Sequence, residues 1–127
     1  MTLRSHNGRS IRRTLTVAVA AGSVALTAAA CTAPAGPEGE IDAAFGPVAG
    51  EARAIANCES RMDVRAVSPT DDHGLFQINI VHQGSFSRVT GQPWSAVYDA
   101  RYNTQFAKWL YDRQGWRPWT CARKVGL

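Results

Sequence analysis

The apolar residues Val48, Ala52, Ile55 and Met62 recur at steps of three, four and seven, so they share one face of a helix running from Val48 to about Met62. Gly46-Pro47 opens that helix, with proline in the tolerated first position, and Ile41 and Phe45 form a helical turn ahead of it. The pattern then changes. Val64 to Val67 and Leu75 to Ile80 read as short β-like runs, separated by the turn-rich interval Ser68-Pro69-Thr70-Asp71-Asp72-His73-Gly74. His82 to Gly91 is weakly patterned, with Phe86 and Val89 as core contacts, and Ser95 and Asp99 read as helix N-caps. From Ala100 to Gln114 the residues Tyr102, Phe106, Trp109 and Leu110 share a face, Lys108 and Asp112 pair on the outside, and Gly115 stops the helix. The expected fold class is α+β, mainly helical, with one small β-hairpin.

The N-terminal pattern is of another kind. Arg4, Arg9, Arg12 and Arg13 precede an acid-free, mostly small and apolar run from Leu15 to Ala30 that ends in Ala28-Ala29-Ala30. This reads as a signal peptide over residues 1–30. It is short for a membrane span and nothing later is apolar enough for one, so the mature protein is expected to be exported with no span. Residues 31–40 are rich in Pro, Gly, Ala, Thr and Glu and read as a flexible tether, which leaves residues 41–127 as the folded domain. Cys31 stands where a lipoprotein signal carries its lipidated cysteine, although Ala28 occupies the usual leucine position. Lipid anchoring and plain secretion both stay open.

Charge changes meaning once the signal is set aside. Four of the 14 Lys+Arg residues lie in it, and the ten that remain balance ten Asp+Glu. No basic stripe is left to suggest a nucleic-acid partner. Arg113, Arg117, Arg123 and Lys124 do gather near the end, either as a solvated face or as a contact for an acidic polymer.

A domain this small is short of buried surface and needs a staple. Cys58 and Cys121 are the remaining cysteines, and in an oxidising compartment they are expected to form a disulfide worth about 4 kcal/mol on the loop-entropy model. Neither has a ligand-spaced partner, and His73 and His82 make no zinc set with them, so no metal and no cofactor is expected. Glu59, four residues after Ile55, falls on the apolar face of its helix near the negative end of the dipole. Burial and dipole both raise its pKa, as a general acid requires; the alternative is an ion pair with Arg61 or Arg65. Gln77 and Asn79 alternate with Phe76 and Ile78, so in a strand their amides share one face. Paired amides suit an acetamido sugar or simply hold a hairpin.

Cys58-Glu59-Ser60, followed at this distance by Gly74-Leu75-Phe76-Gln77-Ile78-Asn79, resembles the lysozyme-like superfamily. The likeness is strongest to the small secreted actinobacterial lytic-transglycosylase-type (SLT-like) domains and covers roughly Ile41 to Arg123. Resuscitation-promoting factors, which share the fold and the glutamate, rank second. The resemblance implies a lysozyme-like fold that cleaves the β-1,4 bond between N-acetylmuramic acid and N-acetylglucosamine in peptidoglycan, with Glu59 as general acid. It implies that Gln77 and Asn79 line the cleft and contact the N-acetyl group. Asn103, four residues after Asp99, matches an Asp-x-x-x-Asn element that supports the cleft, and His73 takes the place of an aromatic at the cleft edge. Asp72 stands where animal-type lysozymes carry a second carboxylate, as nucleophile or electrostatic stabiliser; lytic transglycosylases need none, and there Asp72 would be a turn residue. Tyr98, Tyr111, Trp116 and Trp119 either stack on sugars or fill the core, and His82 reads as a loop residue. The expected protein is a secreted or envelope-associated monomer with the glycan strand as partner. The competing class is a non-catalytic peptidoglycan-binding or scaffold module.

Overall fold

Helix α1 (Gly36–Phe45) sets Ile41 and Phe45 one turn apart, and both are buried, at 0 % and 2 % exposure. The computed structural model describes residues 36–127; the expected signal peptide, the first part of the expected tether and the lipidation candidate Cys31 lie outside the described residues. Residues 36–40, read from composition as tether, are the first half of α1, with Glu38 in its first turn where a carboxylate favours the helix dipole. What overrides the composition is the burial of Ile41 and Phe45. Gly46, at φ 51°, and Pro47 then turn the chain through a short 3₁₀ segment, Gly46–Val48, into α2 (Ala49–Ser60).

In α2, Ala52, Ile55 and Ala56 form the buried face. The helix stops at Arg61 and Met62, both left-handed at φ 55° and 64°, with Arg61 N–H donating to Asn57 O. Two side-chain-bearing residues in this conformation are held from outside: Ser60 Oγ donates to Leu75 O at 2.8 Å.

The hairpin is smaller than its sequence suggests. Strands β1 (Asp72–His73) and β2 (Ile78–Asn79) pair antiparallel, Asp72 opposite Asn79 and His73 opposite Ile78. Val64 to Val67 is not a strand; Val67 alone makes a bridge, to His73. Leu75 and Phe76 are fully buried in the turn between the strands, so the β-like run folds inward rather than extending. Burial of these two side chains outweighs their strand propensity.

Beyond β2 come a 3₁₀ turn (Ile80–His82), α3 (Gln83–Thr90) and a second 3₁₀ segment (Trp94–Tyr98) that contains Ser95 internally, so Ser95 caps nothing. Asp99 is the cap of α4 (Ala100–Gln114), its Oδ1 accepting from Arg101 N–H at 2.9 Å. Helix α4 buries Asn103, Phe106, Ala107 and Leu110 at helical spacing. A last short helix, α5 (Cys121–Lys124), is tied to α2 by the Cys58–Cys121 disulfide, with Cα atoms 5.9 Å apart.

Asn103 is the polar centre of this core. At 0 % exposure, its Nδ2 donates to His73 O (3.1 Å) and Val97 O (2.8 Å), and its Oδ1 accepts from Phe76 N–H (2.8 Å). One amide thus joins β1, the inter-strand turn and the segment before α4. Gly74 lies against it at φ 72°, and a Cβ there would run into Asn103 Nδ2 and Val97 O. No other residue fits that position.

Asn103→Ala is expected to lower stability by about 3 kcal/mol or more in urea denaturation, because it strands buried partners. Asp99→Ala, which removes only an exposed cap, should cost about 1 kcal/mol. Equal losses would contradict the central role of Asn103. Reducing the disulfide should cost a further ~4 kcal/mol.

Candidate active site

The last turn of α2, the β1–β2 hairpin and the segment entering α5 enclose a cleft of about 150 Å³ lined by Glu59, Asp72, Gln77, Asn79, His82 and Trp119, among others. Glu59 enters it next to Cys58. The disulfide brings Cys121 against the same turn, and Cys121 N–H donates to Glu59 Oε1 at 3.2 Å. Burial pushes the Glu59 pKa up; the Cys121 N–H and the Lys124 charge pull it down by less, and the Asp72 charge pushes it up again. The outcome is a raised value. No ion pair to Arg61 or Arg65 forms among the described residues.

Asp72, on β1, is tuned the other way. Burial pushes its pKa up, but hydrogen bonds from Thr70, Asn79 and Ser68, together with the charge of His73, outweigh it and hold the value low. The hydroxyls of Ser68 and Thr70 both donate to Oδ2, and Asn79 Nδ2 donates to Oδ1 at 2.8 Å. The loop exists to make these bonds: Ser68 Oγ also accepts from Asp72 N–H at 3.1 Å, and Asp71 takes the left-handed conformation (φ 65°) that turns the chain into β1. Two carboxylates therefore face one cleft with their pKa values pushed apart.

Gln77 and Asn79 both line the cleft, though not by strand alternation. Gln77 lies outside β2 at φ 49°, and its Nε2 folds back to Gly74 O (3.0 Å) and Ala66 O (3.2 Å). Asn79 donates through Nδ2 to Thr70 O and Asp72 and accepts from Val81 N–H through Oδ1. Their amide N–H groups thus hold the hairpin. Among the described residues, Gln77 Oε1 makes no hydrogen bond and is left as an acceptor.

Neither Asn103 nor His73 is among the residues lining the cleft; both support the hairpin from beneath. Asn103 is fully buried beneath the hairpin and touches no cleft. His73, 7 % exposed, is clamped between Tyr98 Oη on Nδ1 and Asp71 Oδ1 on Nε2, each 2.7 Å away, with the Trp94 ring at its edge. It pins β1 to the 3₁₀ segment before α4. Its side chain points into the core because the register sets His73 opposite buried Ile78.

The sequence marks neither His82, read as a loop residue, nor Pro118 and Thr120 as cleft residues, while Trp119, open there between sugar stacking and core, lines the cleft. His82 carries no pattern that marks it. The segment was legible through the cysteines, since any Cys58–Cys121 bond must bring Trp119 and Thr120 beside Glu59. The Trp119 Nε1–H donates to Phe76 O at 2.9 Å, fixing that wall to the inter-strand turn. Tyr98 bonds to His73, Tyr111 packs edge-on against Phe45 and Trp116 stacks on it, so these aromatics serve the core. Among the described residues, no cluster of three or more His, Cys, Asp or Glu could hold a metal, and no helix is long and apolar enough to cross a membrane.

In carboxyl ¹³C titrations Glu59 should titrate above its ordinary 4.5 and Asp72 below its ordinary 3.8. The stability signs follow. The Asp72 contribution is present above 3.8 and lost as pH falls through its lowered folded value; that of Glu59 is present below 4.5 and lost as pH rises through its raised one. Glu59→Gln should accordingly gain stability relative to wild type as pH rises. A titration in the reverse order would contradict this account of the cleft.

Residues 40–116 match the family model described as Transglycosylase SLT domain, which is more than half of the chain. The matched segment includes Glu59, Asp72, Gln77, Asn79 and Asn103 and stops before Trp119 and Cys121. No curated protein and no solved structure matches the chain.

Proposed function

This chain belongs to the transglycosylase SLT domain family, and on that footing we propose that it cleaves the β-1,4 bond between N-acetylmuramic acid and N-acetylglucosamine in peptidoglycan, with Glu59 as the catalytic acid. The observation that carries the proposal is the pair Glu59 and Asp72, two carboxylates lining one cleft whose surroundings raise the pKa of the first and lower that of the second. A binding module has no need of a carboxyl whose pKa is raised there.

In the proposed reaction, protonated Glu59 gives its proton to the glycosidic oxygen as the bond to the muramic-acid carbon breaks, releasing the N-acetylglucosamine hydroxyl. Positive charge then develops at that carbon. Asp72 stabilises it electrostatically rather than by attack, since three donors already occupy its oxygens. Glu59, now a carboxylate, takes the proton of the sugar's own primary hydroxyl as that oxygen closes on the cationic carbon. The glutamate is thereby restored and the product is an anhydro sugar. The free Gln77 carbonyl is suited to accept the acetamido N–H, and Asn79 acts through Asp72.

The test is mass spectrometry of soluble products from purified peptidoglycan. Wild type should release anhydro ends. Glu59→Gln should lose roughly two to four orders of magnitude in rate, while Asp72→Asn should keep the product and lose less. Activity should also fall as pH rises through the raised Glu59 pKa. Reducing ends in place of anhydro ends would make Asp72 or a water the second participant and the protein a muramidase. No products from an intact fold would leave only the binding module.

A further inference from the structure

The two amides of the cleft have no hydrogen left to give. Gln77 Nε2 donates its two to Gly74 O (3.0 Å) and Ala66 O (3.2 Å), and Asn79 Nδ2 donates its two to Thr70 O (2.9 Å) and Asp72 Oδ1 (2.8 Å). The Trp119 indole N–H is taken by Phe76 O. An ionised carboxylate donates nothing, which removes Asp72, and the proton of Glu59 goes to the glycosidic oxygen. Of the side chains lining the cleft, His82 and Thr120 remain as donors, neither with a hydrogen-bond partner among the described residues.

His82 is the better held of the two. Its ring lies against that of fully buried Phe106, centroids 5.6 Å apart, and the residue is half-buried, whereas Thr120 is exposed. The 3₁₀ turn that carries it, Ile80–His82, is capped by Asn79, whose Oδ1 accepts from Val81 N–H at 3.1 Å. The same side chain holds Asp72 through Nδ2, so one residue sets both the turn and the carboxylate. No partner fixes the tautomer of His82. Whichever ring nitrogen faces the cleft can therefore carry the hydrogen, and a protonated ring donates from both.

An acetamido group needs an acceptor for its N–H and a donor for its carbonyl. Gln77 Oε1, which makes no hydrogen bond among the described residues, supplies the first, and neither Gln77 nor Asn79 has a side-chain N–H for the second. We propose that His82 is a specificity-determining residue of this cleft, donating a ring N–H to the acetamido carbonyl of the sugar whose N–H meets Gln77. The proposal rests on the glycan reading of the cleft and goes beyond it by naming the group that separates N-acetylated strands from de-N-acetylated ones. An amine in place of the acetamide has no oxygen for His82 to reach.

The test uses the full chain carrying Glu59→Gln, which keeps the ligand from being turned over, and two probes. One is a peptide-free tetrasaccharide of the two amino sugars; the other is the same tetrasaccharide with its acetamido groups converted to amines. Affinities are read by calorimetry. His82→Phe keeps a ring for Phe106 and removes both nitrogens, whereas His82→Gln returns a donor. The first should bind the acetylated probe about threefold to tenfold more weakly, the second should recover most of that loss, and the amine probe should be indifferent to either. The ring ¹⁵N signals of His82 keep the test decisive should His82→Phe misfold: the acetylated probe should shift them and the amine probe should leave them in place. An unchanged affinity in His82→Phe, or an equal loss on both probes, would overturn the assignment and leave the glycan reading standing. Failure of the Glu59→Gln chain to bind the acetylated probe would overturn the glycan reading, and this assignment with it.

Discussion

The buried amide of Asn103 is the constraint on which the rest of the molecule depends. Three hydrogen bonds from one side chain join β1, the turn after it and the segment before α4. A two-residue-per-strand hairpin has almost no stability of its own in water. Here it is held to a helical core by a group that cannot be withdrawn without leaving unsatisfied donors and acceptors in an apolar interior. The demand spreads outward. Gly74 must be glycine to let the amide approach, and Leu75 and Phe76 are carried into the core by the same anchoring.

On that platform the two carboxylates are treated in opposite ways. Asp72 belongs to the hairpin and is saturated with donors from its own loop, a self-contained polar cage that keeps it ionised. Glu59 belongs to the helical body and receives a single long hydrogen bond from a backbone amide brought in by the disulfide. Desolvation prevails at one position and hydrogen bonding at the other. The difference lies in local chain geometry: a turn supplies many hydroxyl and amide donors, whereas the end of an α-helix points carbonyls, not N–H groups, at its side chains.

Much of this was legible in the sequence where one physical signal dominated. The 3.6-residue periodicity gave α2 and α4, Asp99 gave a cap, and Glu59 on an apolar face gave a raised pKa. Reading failed where tertiary burial overruled local preference. Leu75 to Ile80 has strand composition, yet Leu75 and Phe76 turn inward and Gln77 is left-handed, so Gln77 and Asn79 reach the cleft without the alternation of a strand. The resemblance sets His73 at the cleft edge, whereas its register opposite buried Ile78 turns the side chain into the core. Gly36 to Glu40 has the composition of a tether but is helical, because the buried residues Ile41 and Phe45 that follow anchor it.

The disulfide carries a consequence beyond stability. Cys58 and Cys121 each adjoin a functional atom: the first precedes Glu59, and the second owns the N–H that Glu59 accepts. A reduced chain would keep the glutamate but lose the tether that holds its partner and the Trp119 wall in register. The setting of Glu59 thus depends on a covalent bond that oxidising surroundings favour.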